Sequence, residues 1–180
     1  FQGLMWQAML LAAGLPNTHT VVVDGFILGE EGTKMSKTLG NVIDPLEVVR
    51  EYGTDALRYF VLREFHPFED TAVSKEKLKE WYNANLANGL GNLVQRILTL
   101  AEKYDIWPSA TQNKEVPKAW EHFSSFDIKA VTDAIWSDIK SADILMAKEE
   151  PYKQIKTNPS HATTIIKTLV AKLRWIALQL

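Results

Sequence analysis

The chain contains no cysteine, which excludes disulfide bridges and thiolate metal sites and leaves the redox state of its compartment unreadable. It has no apolar run long enough to span a bilayer and no secretory signal pattern. It also lacks a basic excess: 20 Lys and Arg are set against 22 Asp and Glu, for a net charge of −2. Any contact with RNA must therefore come from a local cluster of basic side chains. We expect a soluble, cytoplasmic protein.

The sequence does contain enough apolar side chains for a core, since 46% of its 180 residues are hydrophobic. Up to about residue 72, a helix (4–13), a β-branched strand (20–28) and two helices on either side of Gly53 are predicted. From residue 74 onward only helical periods follow, apart from a loop at 106–117. This half predicts an antiparallel helical bundle. The predicted N-caps of the later helices are Thr54, Ser74 and Asp127, and the last helix is predicted to start at Ser160.

Two lysines, Lys34 and Lys37, lie in a loop rich in glycine and hydroxyl residues between the predicted strand and the next helix. Two ammonium groups on a mobile loop suit a polyanion that gains charge during a reaction, such as a triphosphate. Charge spacing alone also fits a solvated, lysine-rich turn. A P-loop is excluded, because no glycine stands four residues before a Gly-Lys-Ser/Thr triplet.

A polar row follows the predicted helix from residue 75 to about 103. Its members recur at steps of three and four, and they are Asn85, Asn88, Asn92 and Arg96. Asparagine is a mediocre helix former, so a solvent-facing row of it is unusual. A row of side-chain amides followed by a guanidinium can hydrogen-bond to base edges and phosphates. Interhelical hydrogen bonds within a bundle would give the same spacing, and the sequence alone leaves both possibilities open.

The segment Lys34-Met35-Ser36-Lys37-Thr38-Leu39-Gly40-Asn41 resembles the KMSKS signature loop of class I aminoacyl-tRNA synthetases. The resemblance implies that this loop binds the phosphates of ATP, which arrives with Mg²⁺, and that no metal site belongs to the chain itself. Lys37 is the first candidate catalytic residue and Lys34 the second. The implied ATP-binding residues are Lys34, Met35, Ser36, Lys37 and Thr38. Thr38 stands where the family has serine, and a hydroxyl is retained.

The segment from Trp81 to Arg96 looks like the first anticodon-domain helix of the methionyl-tRNA synthetases. That resemblance implies that Asn92 and Arg96 contact anticodon bases of tRNA(Met). It also implies a base-stacking aromatic directly after a proline at the end of a later helix, which here is Tyr152 after Pro151, where the family often has tryptophan. The alternative for Tyr152 is an aromatic side chain that covers the end of the bundle.

The resemblance covers nearly the whole chain and implies a mainly α fold. Residues 1–72 are expected to form the end of a Rossmann-type catalytic domain with the lysine loop and linking helices. Residues 73–180 are expected to form an anticodon-binding bundle that is incomplete at its C-terminus. The chain would then be a C-terminal fragment of an enzyme that ligates methionine to tRNA(Met) with ATP.

The family's His-x-Gly-His element is absent around all four histidines, which are His19, His66, His122 and His161. Its methionine pocket also lies upstream, so methionine would bind only outside this chain and the chain alone would be inactive. Two alternatives remain. One is a class I synthetase of the leucine, valine, isoleucine or cysteine type, and the other is a non-catalytic RNA-binding module with a vestigial lysine loop.

Overall fold

A computed structural model describes residues 2–109 and 117–180, and it is mostly helical. The predicted loop at 106–117 falls largely on residues 110–116, which lie outside the described residues. Across both described ranges, no helix combines the length and the apolar character needed to cross a membrane.

The first helix, α1, spans Gln2–Ala12, close to the predicted bounds. Gly14, with a φ of 69°, follows its last turn, as expected of a glycine that ends a helix. No residue of α1 is buried. Most of its large apolar side chains are exposed, namely Leu4, Met5, Trp6, Met9 and Leu11, whereas Leu10 is partly buried.

The strand predicted over 20–28 is much shorter in the structure. Only Ile27–Leu28 (β1) forms a strand, and it pairs in parallel with Thr71–Ala72 (β2). The prediction is wrong for residues 20–26. Within the described ranges β2 is the only strand partner, and it pairs only with Ile27 and Leu28. The β-branched side chains at 21–23 are exposed. A β-forming composition therefore does not produce a strand where no ladder partner is present.

Gly25 makes the close backbone approach that its position before β1 suggests. Its N–H donates to the carbonyl oxygen of Pro67 at 2.9 Å. A Cβ built at this position would lie 2.0 Å from the backbone oxygen of Glu69. Only glycine fits between β1 and the segment that leads into β2.

Two short helices follow the lysine loop. Helix α2 (Pro45–Tyr52) is capped by Asp44, whose carboxylate accepts from the N–H of Leu46 at 2.9 Å. Helix α3 (Thr54–Tyr59) continues as a π-helix over Phe60–Glu64. Thr54 is not the N-cap that the sequence predicts. Gly53, with a φ of 90°, already supplies the non-helical residue between the two helices, so Thr54 becomes the first helical residue.

The long helix predicted from residue 75 is present, but its middle is widened. It consists of α4 (Lys75–Trp81), a π-helical segment (Tyr82–Gly91) and α5 (Asn92–Tyr104). Ser74 caps it as predicted and accepts from the N–H of Lys77 at 3.3 Å. The π-helical segment is a departure from the prediction.

Three helices complete the chain after a 3₁₀-helix at Lys118–Ser125: α6 (Ile128–Glu149), α7 (Pro151–Gln154) and α8 (Pro159–Gln179). Asp127 caps α6 as predicted, accepting from Ala130 N–H at 3.0 Å. The start of α8 differs from the prediction. Pro159, not Ser160, is its first residue, because proline suits the first helical position, and Asn158 caps the helix by accepting from His161 N–H at 3.3 Å.

Two hydrophobic clusters hold these elements together. The bundle cluster joins α5, α6 and α8, and its fully buried members include Leu93, Ile97, Ile166, Leu169 and Ile176. The linker cluster joins α2, α3 and α4, with Val48, Ala56, Phe60, Val73 and Leu78 at its centre. The linker cluster takes residues from both sides of position 72, and the domain boundary placed there stays a prediction.

Candidate functional site

The lysine loop leaves β1 through a tight turn. The N–H of Gly29 donates to the carbonyl oxygen of Thr33 at 2.7 Å, and Leu28 forms an antiparallel bridge with Lys34. The backbone of Lys34 is therefore fixed at the base of the loop, while its side chain is exposed.

The second half of the loop is a turn built on Ser36. Its hydroxyl accepts from the N–H of Leu39 at 3.1 Å, and Gly40, with a φ of 68°, donates to the carbonyl oxygen of Lys37 at 3.3 Å. Lys37 and Thr38 are exposed on this turn, whereas Met35 and Ser36 are partly buried. Neither Lys34 nor Lys37 is in an ion pair with a described residue. The arrangement presents two ammonium groups to solvent from one hydrogen-bonded loop.

The side-chain amide of Asn41 spans this loop. Its oxygen accepts from Ser36 N–H at 2.8 Å, and its nitrogen donates to the hydroxyl of Thr33 at 3.3 Å and the carbonyl oxygen of Lys34 at 3.2 Å. Sequence reasoning gave Asn41 no role of its own, because a lone asparagine in a loop carries no periodic signal.

The polar row lies along a groove between the long helix and α6. A cavity of about 260 Å³ is lined from the long helix by Asn85, Asn88, Asn92 and Arg96, and from α6 by Trp136, Lys140 and Asp143, among others. A wider cavity of about 680 Å³ shares Asn92 and Arg96 and adds Tyr152. We call the two together the polar groove. The structure thus brings together all three residues of the predicted RNA-binding set.

The members of the row differ in their contacts. Asn85 is half-buried and donates to the carboxylate of Glu64 at 3.0 Å, so the interhelical alternative holds for this residue. Asn88 and Asn92 are exposed. The guanidinium of Arg96 lies 3.1 Å from the Asp143 carboxylate, and its side chain is 38% exposed. Both amides and the guanidinium can therefore reach a ligand in the groove.

Tyr152 stands at the start of α7 rather than at the end of α6. Helix α6 stops at Glu149, Glu150 adopts a left-handed φ of 39°, and the buried Pro151 begins α7. The phenol of Tyr152 donates to the Glu150 carboxylate at 3.0 Å, and the ring is 44% exposed. Tyr152 lines the wider cavity of the groove.

The ammonium of Lys153 lies 2.6 Å from the Glu150 carboxylate. Its hydrogen bond, with that of Tyr152, holds the pKa of Glu150 below its ordinary value, and the same contact raises the pKa of Lys153. Glu150 therefore stays ionised and available to orient the phenol at neutral pH.

Sequence reasoning missed several residues of the groove. Gln95, Thr99 and Lys103 recur at steps of four beside the row, and this spacing could have identified them. Lys140 and Asp143 come from α6 and join the site only through tertiary packing. Within residues 2–109 and 117–180, no three His, Asp or Glu side chains stand close enough together to hold a metal ion.

An exposed lysine loop next to a helical unit with a polar groove is the combination expected of a class I aminoacyl-tRNA synthetase. A family model described as "tRNA synthetases class I (M)" matches residues 1–98, more than half of the chain. The chain belongs to the methionyl-tRNA synthetase family.

Similar proteins agree with this assignment. The chain is 34% identical over 194 residues to a methionine–tRNA ligase of Rhizobium meliloti (strain 1021), with all of this chain and 37% of that protein covered. It is also 34% identical to a methionine–tRNA ligase of Caldanaerobacter subterraneus subsp. tengcongensis, covering 99% of this chain and 30% of that protein. The chain thus spans about a third of the length of these relatives.

Among solved structures, the chain is similar to Mycobacterium tuberculosis methionyl-tRNA synthetase in complex with methionyl-adenylate. The TM-score is 0.82 at 27% sequence identity, with 97% of this chain and 38% of that chain covered.

Proposed function

We propose that this chain is the part of a methionyl-tRNA synthetase that carries its lysine loop and its anticodon-binding bundle. Residues 1–72 are the end of a Rossmann-type catalytic domain with linking helices, and residues 73–180 are an antiparallel bundle. The whole enzyme acts in the cytoplasm and ligates methionine to tRNA(Met) with ATP. The observation that carries the proposal is that Asn92, Arg96 and Tyr152 line one groove.

The lysine loop serves the first step, in which a methionine carboxylate oxygen attacks the α-phosphorus of ATP. The bond to the β-phosphate breaks, and pyrophosphate leaves with its charge. Lys37, assisted by Lys34, stabilises the negative charge that develops on the β- and γ-phosphates. Mg²⁺ arrives with ATP and neutralises part of the same charge. The isolated chain is inactive, because the methionine pocket belongs to the rest of the enzyme.

The polar groove binds the anticodon loop of the tRNA substrate. Unpaired bases of an anticodon loop can stack on the exposed ring of Tyr152 and hydrogen-bond to the Asn92 amide and the Arg96 guanidinium. Asp143 already holds this guanidinium in the groove in the free protein, which limits the freedom lost on binding. Lys103 and Lys140 line the same cavities and can contact phosphates.

The catalytic half is tested by Lys37→Ala in the full-length enzyme, with methionine-dependent pyrophosphate exchange as the measurement. We expect a loss of about 3–4 kcal/mol of transition-state stabilisation, and a smaller loss for Lys34→Ala. Lys167→Ala, which removes an exposed lysine of α8, is the matched control. An unchanged exchange rate in Lys37→Ala would refute the role of the loop.

The anticodon half is tested by Arg96→Ala, with the affinity for a CAU anticodon stem-loop as the measurement. Arg174→Ala removes an exposed arginine from α8 and controls for the loss of one positive charge. We expect Arg96→Ala alone to weaken binding strongly. If both variants bind equally well, the groove does not hold the anticodon. Stem-loops with leucine, valine, isoleucine or cysteine anticodons test the other class I specificities.

A further inference from the structure

Asn41 makes three hydrogen bonds to the lysine loop, one through its amide oxygen and two through its amide nitrogen. The amide oxygen accepts from the backbone N–H of Ser36. The amide nitrogen donates to the hydroxyl of Thr33 and to the carbonyl oxygen of Lys34. Two of these bonds hold the backbone on either side of Met35, midway between the two lysines. The amide therefore fixes where the chain passes from Lys34 to the turn that bears Lys37.

The contacts require the donor and acceptor set of a carboxamide. An aspartate at this position could accept from Ser36 N–H but would turn lone pairs toward the Lys34 carbonyl oxygen and could not donate to it. A serine or alanine would leave the Ser36 N–H and the Lys34 carbonyl without this partner.

The residue at position 29 leaves room for the side-chain amide of Asn41. Gly29 is buried, and a Cβ at this position would lie 3.0 Å from the amide nitrogen of Asn41 and 3.4 Å from the Thr33 hydroxyl and carbonyl oxygens. Any larger residue at position 29 would press on the same amide. Gly29 thus leaves the space that the side-chain amide of Asn41 occupies.

We propose that Asn41 is a positioning residue for the ATP reaction, and this inference rests on the proposed function of the lysine loop. Asn41 does not touch the nucleotide. It holds the backbone between Lys34 and Lys37 so that both ammonium groups meet the phosphates in the geometry of the transition state. Because a displacement of about 1 Å at a reacting group can lower a rate by about 100-fold, loosening this amide is expected to act on kcat.

The test uses Asn41→Ala in the full-length enzyme and measures pyrophosphate exchange over a range of ATP concentrations. We expect kcat to fall by about 100-fold while KM for ATP and for methionine changes little, since the lost interaction serves the transition state. Asn41→Asp is expected to behave similarly, and Gly29→Ala to lower kcat in the same direction. Asn83→Ala, which changes an exposed asparagine in the π-helical segment, is the matched control.

Hydrogen exchange supplies a readout that does not depend on activity. If Asn41 holds the loop, Asn41→Ala accelerates exchange of the Ser36 amide but not of amides in α6. An unchanged Ser36 exchange rate, or an unchanged kcat in Asn41→Ala while Lys37→Ala is impaired, overturns the inference alone. If neither Asn41→Ala nor Lys37→Ala affects pyrophosphate exchange, the proposed function of the loop fails together with the inference.

Discussion

Tyr152 illustrates how a residue in the polar groove is oriented by its neighbours. The Glu150 carboxylate accepts a hydrogen bond from the phenol of Tyr152, and the ammonium of Lys153 lies 5.8 Å from the centre of its ring. The buried Pro151 anchors the adjoining backbone in the core. Glu150 adopts a left-handed conformation, which is uncommon for a residue with a Cβ. The side chain is thus partly exposed beside the groove while its hydroxyl is engaged by Glu150.

We predict that Tyr152→Ala weakens binding of the CAU stem-loop by about 1–3 kcal/mol, the usual contribution of a base stacked on an aromatic ring. Tyr152→Phe keeps the ring but removes the bond to Glu150, so its loss should be well below that of Tyr152→Ala. Both affinities are measured by titration at one fixed salt concentration. Equal affinity of Tyr152→Ala and the unmodified protein would mean that the ring only covers the end of the bundle.

The pKa of Tyr59 gives a prediction about alkaline pH. Burial, followed by the hydrogen bond to Glu64, raises this pKa well above its ordinary value of 10.0. A group whose pKa is higher in the folded protein contributes stability that is intact below its unfolded pKa and is lost as the pH rises further. The free energy of unfolding should therefore fall as the pH rises above 10.

Tyr59→Phe removes the titrating group, so we predict a shallower decline of stability above pH 10, by up to about 1.4 kcal/mol per pH unit. Denaturant unfolding at a series of pH values measures this slope, independently of any loss of stability at neutral pH. The prediction fails if Tyr59→Phe and the unmodified protein lose stability at the same rate.

The residues of the groove show what a sequence can reveal at this scale. Asn92 and Arg96 share a helix, so their spacing predicts a common face, and the structure has them on one. Asp143 lies 47 positions from Arg96 and meets it only through the packing of α6 on the long helix. The three bonds of Asn41 likewise depend on the path of a loop, which no periodicity encodes.

At the scale of elements, the π-helical segment explains how one helix serves two cores. The buried stripe takes three successive steps of four, through Leu78, Tyr82, Leu86 and Leu90. In an α-helix of 3.6 residues per turn, three such steps drift by about 120°. A wider π turn reduces this drift and so keeps the stripe facing inward. Gly89 and Gly91 fit the wider turn, since a Cβ at either would lie 3.0 Å from the carbonyl oxygen five residues earlier.

This widening was not predicted, although the repeated steps of four were visible. Apolar residues at steps of three and four indicate a helix, but this pattern does not distinguish the hydrogen bonding of an α-helix from that of a π-helix. The caps at Ser74 and Asp127 were predicted correctly, whereas the Asp44 cap of α2 was not predicted. The predictions of a cap at Thr54 and of a helix start at Ser160 failed, because a neighbouring glycine and an Asn-Pro pair set the starts of these helices.

We predict that Gly25→Ala destabilises the pairing of β1 with β2. The new methyl group would overlap the backbone of Glu69 and Asp70, which cannot move away as a flexible side chain would. Overpacking of this kind typically costs about 1–3 kcal/mol, and thermal unfolding measures the cost. Gly3→Ala is the matched control, because its methyl group meets nothing within 4 Å and α1 gains helix propensity. Equal unfolding temperatures for the two variants would contradict the prediction.

At the scale of the molecule, a polar network connects the linker cluster to the bundle cluster. Arg63, in the π-helix after α3, forms an ion pair with Glu64, and its guanidinium lies 4.6 Å from the centre of the Trp136 ring on α6. It also lies 3.5 Å from the Asp133 carboxylate. Glu64 in turn accepts from Asn85 on the long helix. The linker cluster is therefore connected to α6 by the contacts of Arg63 with Trp136 and Asp133, and the Arg63–Glu64 ion pair lies within one π-helix beside them.

Removing both members of this pair should cost less than the sum of the two single losses. The side chains of Arg63 and Glu64 are only 17% and 12% exposed, so a lone charge left at this position is poorly solvated. We predict that Arg63→Leu lowers the free energy of unfolding by about 3–5 kcal/mol. The double variant Arg63→Leu with Glu64→Leu should lose less than the sum of its two single variants. Denaturant unfolding of all four proteins gives this coupling energy.

The exposed pair of Lys75 and Glu47 supplies the control for this double-mutant cycle. It joins α4 to α2 at 3.2 Å, but its side chains are 69% and 56% exposed. Water screens such a pair, and Lys75→Leu should cost less than about 1 kcal/mol. If the two cycles give equal coupling energies, Arg63 and Glu64 are no more than a surface contact. A larger coupling energy for Arg63 and Glu64 than for Lys75 and Glu47 would show that burial strengthens the interaction between the two charges.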